Sequence, residues 1–112
     1  MSRGADPAAA DVFFALGDAT RLSVVRRLGA GGPLSATALS EGARVTRQAI
    51  AKHLRVLEGA GLVLHERRGR EVLYALDGRR LEEARAFLDA VSAGWDRALE
   101  RLRRVVEEEP RG

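Results

Sequence analysis

Apolar residues recur at helical spacing over most of the chain and give way to short strand-like runs at one place. Asp6-Pro7 reads as an N-cap followed by proline at the first helical position, opening a short helix that carries Val12, Phe13 and Leu16 and stops at Gly17. Asp18 caps the next helix, with Leu22, Val25 and Leu28 on one side. The run from Gly29 to Pro33 breaks it. Ser35 then caps a short third helix over about 36–41, with Leu39 pointing inward and Gly42 where a helix end favours a left-handed residue. Thr46 caps a fourth helix, about 46–59, and Gly61 clears its exit.

The period then changes. Residues 62–66 and 71–76 are short strand-like runs joined by Arg67-Arg68-Gly69-Arg70, which predicts a hairpin with glycine at the turn. Helical spacing returns from Gly78 and defines a long helix over about 79–108. The predicted order is helix, helix, short helix, helix, hairpin, long helix. Two helices joined by a tight glycine-containing turn form a helix-turn-helix, and a hairpin directly after them makes it winged. The fold class is therefore mainly α with a small β-hairpin, in one domain over 1–109, with 110–112 a frayed tail.

The fourth helix divides cleanly on a helical wheel. Ile50, Leu54 and Leu57 share an arc of roughly 60°, and Gln48, Lys52 and Arg55 share a similar arc opposite. The face that cannot enter the core thus carries an amide, an ammonium and a guanidinium, the groups that hydrogen-bond base edges and hold phosphates. Thr46, Arg47, Gln48 and Ala49 lie at the end of this helix that would enter a major groove. Arg67, Arg68 and Arg70 at the hairpin tip would reach a minor groove or a row of phosphates.

Charge sharpens the picture by its placement. The 112 residues carry a formal net charge of +3. Residues 44–70 hold seven basic residues against Glu58 and Glu66, a local net of +5, whereas residues 1–43 balance and residues 71–112 are net acidic. A polyanion such as double-stranded DNA is the natural partner of that window. A solvated surface face would show charge too; the preceding short helix and the cationic hairpin tip favour nucleic acid.

The long C-terminal segment places Leu81, Ala84, Leu88, Val91, Trp95, Leu99, Leu102 and Val106 at steps of three or four, close to the alternation of a packed helix seam. That stripe exceeds what one small domain can cover, and leaving it wet would expose a large apolar patch. A second copy of the chain is the simplest cover. The expected subunit boundary comprises Phe13 and Phe14 of the first helix (about 7–16) with Leu81, Leu88, Val91, Trp95, Leu99 and Leu102. Gly94 leaves open whether the long helix is continuous or broken.

Several residue groups resemble the ArsR, or arsenic-repressor-like, family of winged-helix regulators. Phe14-Ala15-Leu16-Gly17-Asp18-Ala19-Thr20-Arg21-Leu22 is similar to that family's opening. The stretch from Ala49 to Val63 resembles its recognition helix and entry to the wing, and Gly69-Arg70 with Tyr74-Ala75-Leu76 resembles its wing. The resemblance covers about residues 10–109 and implies a homodimeric transcription repressor that binds an inverted-repeat operator and releases it on a signal. Many members of the family sense metals through cysteines on the helix before the recognition helix, or through Asp and His on the C-terminal helix. Here residues 38–45 hold no cysteine, the chain has none at all, and its two histidines, His53 and His65, lie on separate elements. A transition-metal site needs three or four clustered ligands. No metal or other cofactor is therefore expected, and any small-molecule effector stays unnamed.

Zero cysteines exclude disulfides and thiol switches. No apolar run is long enough to span a bilayer, and the N-terminus makes no secretory signal, so the expected compartment is the cytoplasm. No nucleophile–base pair, phosphate loop or paired-carboxylate cleft points to an enzyme. A protein-interaction module, docking a partner through the long C-terminal helix, is the alternative to DNA binding.

Overall fold

The computed structural model describes residues 7–108. The elements run α1 (Pro7–Leu16), α2 (Ala19–Gly31), β1 (Leu34–Ser35), α3 (Ala36–Ala43), α4 (Arg47–Gly59), β2 (Val63–Arg68), β3 (Glu71–Leu76) and α5 (Gly78–Glu108). The order is the one the hydrophobic pattern predicts, with one addition. Residues 34–35 form a two-residue strand, so the wing is a three-stranded antiparallel sheet in the order β1-β3-β2, with Leu34 opposite Tyr74 and Ser35 opposite Leu73. Two residues carry no alternation to read, and only the neighbouring hairpin reveals them. The expected cap at Asp6 and the tail at 110–112 lie outside the described residues.

Local chemistry accounts for the helix starts. Asp18 accepts from the Arg21 N–H at 3.0 Å, Ser35 from the Ala38 N–H at 3.1 Å and Thr46 from the Ala49 N–H at 3.0 Å. Each satisfies one of the donors a helix N-terminus leaves open. At the end of α4, Gly61 sits at φ 77° while the Leu62 N–H donates to Leu57 and the Gly61 N–H to Glu58, both at 3.0 Å. That paired pattern turns the chain into the wing.

The end of α3 differs from expectation. Its left-handed residue is Arg44 (φ 58°, ψ 39°), two positions beyond Gly42, and α3 extends through Ala43. Gly42 instead makes room for a neighbour, since a Cβ there would overlap the guanidinium of Arg27. That guanidinium donates to the carbonyls of Ala38 (3.4 Å) and Leu39 (3.3 Å), binding α2 to α3.

The core lies where α1 to α4 meet the sheet and the start of α5. Val12, Ala15, Val24, Leu28, Leu39, Ile50, Leu54, Leu57 and Leu62 are all buried, as is Ala84 of α5. Each large aliphatic side chain contributes on the order of 1.5–3 kcal/mol by leaving water. The whole inward arc of α4 predicted from the wheel is thus buried.

Helix α5 is continuous through Gly94 and, at 31 residues, about 46 Å long. A methyl at Gly94 would meet nothing nearer than the Arg97 guanidinium at 3.9 Å. Beyond Phe87, which meets Phe13 at 5.7 Å between ring centroids, its large apolar residues are exposed.

Candidate nucleic-acid interface

The outer face of α4 and the wing share a cleft of about 860 Å³. Arg47, Gln48 and Ala51 line it from α4, Arg70, Glu71 and Tyr74 from the wing, and Thr37 and Glu41 from α3. Arg47, Gln48 and Arg70, separated by more than twenty residues in sequence, therefore meet across one opening. Lys52 and Arg55 are exposed farther along α4, outside the cleft lining. Thr46 is exposed with its oxygen engaged as the helix cap, and Ala49 is half-buried behind it.

The hairpin places its three arginines differently from one another. Strand β2 runs to Arg68, longer than expected, so only Gly69 and Arg70 form the turn. Gly69 takes φ 62° and Arg70 does not share its sign, the pattern of a two-residue turn with glycine at its first position. Arg67 and Arg68 occupy paired strand positions opposite Val72 and Glu71 and project to opposite faces. Arg68 Nε lies 3.5 Å from Glu66, an exposed pair.

Among the described residues, the side chains of Arg44, Arg47, Lys52, Arg55, Arg67 and Arg70 make no ion pair or hydrogen bond. Other arginines are engaged within the chain: Arg21 and Arg27 on backbone carbonyls, Arg79 on Asp77, Arg80 on Glu83. Exposed cations without internal partners remain available to an external anion. Glu41 and Glu71, which lie on either side of the cationic window in sequence, were not expected in the cleft; lone acids give no local pattern to detect.

The orientation of α4 is fixed from behind by a polar cluster. Arg21 Nη1 donates to His53 Nδ1 at 3.1 Å, and Arg21 Nε donates to the Ala15 carbonyl at 2.7 Å. Since a guanidinium only donates, His53 Nδ1 is the acceptor of this hydrogen bond. Asp18 sits 3.8 Å from the same nitrogen, and the Arg21 backbone N–H holds its carboxyl below the usual carboxylate range. At the other end of α4, Glu58 hydrogen-bonds His65 of β2, whose ring lies 5.6 Å from that of Tyr74. Asp77 accepts from the Arg79 N–H and guanidinium at the start of α5, and the guanidinium bond keeps its carboxyl low. Helix α4 is thus tied to α2 at one point and to the wing at another.

Further exposed apolar residues lie on α5 and, with Phe14, on α1. Phe14, Leu88, Val91, Trp95, Leu99 and Leu102 are exposed, Phe14 by 71% and Trp95 by 62%. Phe13 and Leu81, expected on the same boundary, are half-buried and packed on the chain's own core. Among the described residues no group of three or more His, Cys, Asp or Glu could hold a metal ion, and no helix is long and apolar enough to cross a membrane.

Comparison with known proteins agrees with this geometry. A helix-turn-helix domain family matches residues 16–66. The HTH-type transcriptional regulator Rv2034 of Mycobacterium tuberculosis is 38% identical over 95 residues, covering 85% of each chain. The HTH-type transcriptional repressor SmtB of the same organism is 37% identical over 90 residues, covering 80% of this chain and 64% of its own. The structure of an ArsR-like transcriptional regulator from Rhodococcus sp. RHA1 superposes with a TM-score of 0.76 at 38% identity, covering 91% of this chain and 95% of that one. Fold, helix-turn-helix and overall likeness coincide over nearly the whole length, and the chain belongs to the ArsR family of winged helix-turn-helix transcriptional regulators.

Proposed function

We propose that this protein is a sequence-specific transcriptional repressor that binds an inverted-repeat operator as a homodimer. The observation carrying this reading is the set of exposed cations and one amide, free of internal partners, along the outward arc of α4 and the wing tip. Arg47 and Gln48 sit at the first turn of α4, where a major groove would receive them, and take the role of base readers. Lys52, Arg55 and the wing arginines supply phosphate contacts that fix register. Occupying a promoter is enough to repress it, and the relative SmtB is named a repressor.

The exposed stripe of α5 together with Phe14 forms the subunit boundary. A two-fold axis through it sets two copies of α4 about one DNA turn apart, roughly 34 Å or a multiple of it. No metal enters the mechanism: α3 offers no cysteine, α5 no histidine, and His53 and His65 are engaged with Arg21 and Glu58. The operator, and hence the protein's place of work, is in the cytoplasm.

The test starts with selection from a pool of random duplexes, followed by fluorescence anisotropy of an enriched and an unrelated duplex between about 50 and 200 mM salt. The enriched sites should be imperfect inverted repeats, with affinity falling steeply as salt rises. Arg47→Ala or Gln48→Ala should narrow the gap between the two duplexes by roughly 1–3 kcal/mol. Replacing Arg67, Arg68 and Arg70 together should weaken both duplexes alike. Absence of enrichment with salt-independent retention would reject the proposal and favour a protein-docking module.

A further inference from the structure

Arg44 is the one non-glycine residue among those described with a positive φ. Its conformation is set by the exit from α3, where its N–H donates to Glu41 at 3.3 Å and the Val45 N–H donates to Ser40 at 3.2 Å. The exit from α4 has the same pair of backbone hydrogen bonds and places Gly61 at the corresponding position. Glycine adopts that conformation freely, and an arginine does so under strain. The same chain therefore meets one geometrical demand with the favourable residue at one exit and an unfavourable one at the other.

Nothing inside the molecule uses the Arg44 side chain. It is exposed and forms no ion pair, although Glu41 lies one helical turn before it. It stands in the turn of the helix-turn-helix, three residues after Glu41 and three before Arg47, both of which line the cleft. Strain held at a position with no internal return points to a role outside the molecule.

We infer that Arg44 is a phosphate clamp: its guanidinium, held outward by the left-handed turn, binds a phosphodiester oxygen of the strand bordering the groove that receives α4. This rests on the DNA-binding reading above and adds a residue to it, one that positions the helix on the duplex without reading bases.

The experiment uses the full chain with Arg44→Gly and Arg44→Lys, the enriched and unrelated duplexes, and thermal melting. Arg44→Gly relieves the strain, so it should melt no lower than the parent while the Kd rises several-fold for both duplexes by the same factor. The slope of log K against log salt should shrink by about 0.9, the loss of one phosphate contact. Arg44→Lys should keep the slope, because a point charge also displaces a counterion. If the parent itself binds without salt dependence, the DNA-binding reading falls. If the parent binds with a steep slope and Arg44→Gly matches it in both Kd and slope, the clamp alone is overturned. It is equally overturned if Arg44→Gly melts lower, since the side chain then serves the fold, or if only the enriched duplex is weakened, since Arg44 then reads bases.

Discussion

Replacing Trp95 by alanine tests the subunit boundary directly. Trp95 is 62% exposed in the single chain. An indole side chain presents up to roughly 250 Å², so about 150 Å² stays wet until something covers it. Truncation to alanine removes about 100 Å² of that, worth about 2.5 kcal/mol at ~25 cal/mol per Å². Two-fold symmetry counts it twice, about 5 kcal/mol per dimer, or more than a thousandfold in the dissociation constant. Ordering of side chains and imperfect cover reduce such figures on association, so a hundredfold weakening is the floor expected. The monomer should be unharmed, because an exposed indole leaves no cavity and alanine is the better helix former. Sedimentation equilibrium gives the constant for both proteins. Since Trp95 is the sole tryptophan, the parent's emission should also shift to the red as dilution separates the subunits. An unchanged dissociation constant, or a parent whose indole is fully wet at tens of micromolar, would refute the boundary.

Two further outcomes follow from contacts described above. Gly42→Ala should change stability by less than about 1 kcal/mol, because the gain in helix propensity offsets displacement of the Arg27 guanidinium from Ala38 and Leu39. In an Arg27→Ala background the same change should stabilise by about 0.5–1 kcal/mol, and a double-mutant cycle showing no coupling would sink the close-approach account. Asp18 and Asp77 both have carboxyls held below the ordinary 3.8, Asp18 by the Arg21 N–H and Asp77 by the Arg79 guanidinium. A depressed folded pKa stabilises above the unfolded value and ceases to do so as pH falls through the folded one. Acid titration of the melting temperature should therefore show the parent losing stability from about pH 4 downward more steeply than Asp18→Asn with Asp77→Asn, and parallel curves would contradict it.

The most legible parts of the chain are those with many residues in one period. The two arcs of α4 are separated in sequence as they are in space, because Ile50, Leu54 and Leu57 repeat often enough to fix the wheel. The wing shows through the change of period, but its register does not, because Arg67 and Arg68, read as part of the turn, pair with Val72 and Glu71. The misreadings arise where a distant residue decides. Gly42 obeys the local rule for a helix end, yet its smallness serves Arg27, fifteen positions earlier in the chain. Strand β1 exists only because β3 lies beside it. Continuity at Gly94, which the local pattern left open, is decided by the thirty other residues of α5. The cleft could not be read at all from local pattern, since it unites α3, α4 and β3.

The division of labour around α4 has a consequence for how such a regulator diversifies. Its inward residues hold the helix whatever stands outside, and Arg47 and Gln48, the base readers of the proposed function, take no part in that hold. A duplicated copy can thus exchange these outward letters one at a time and acquire a new genomic address while the scaffold keeps its shape. Diversification is then limited by how quickly the cognate DNA changes in step, because folding imposes little penalty on the exchange.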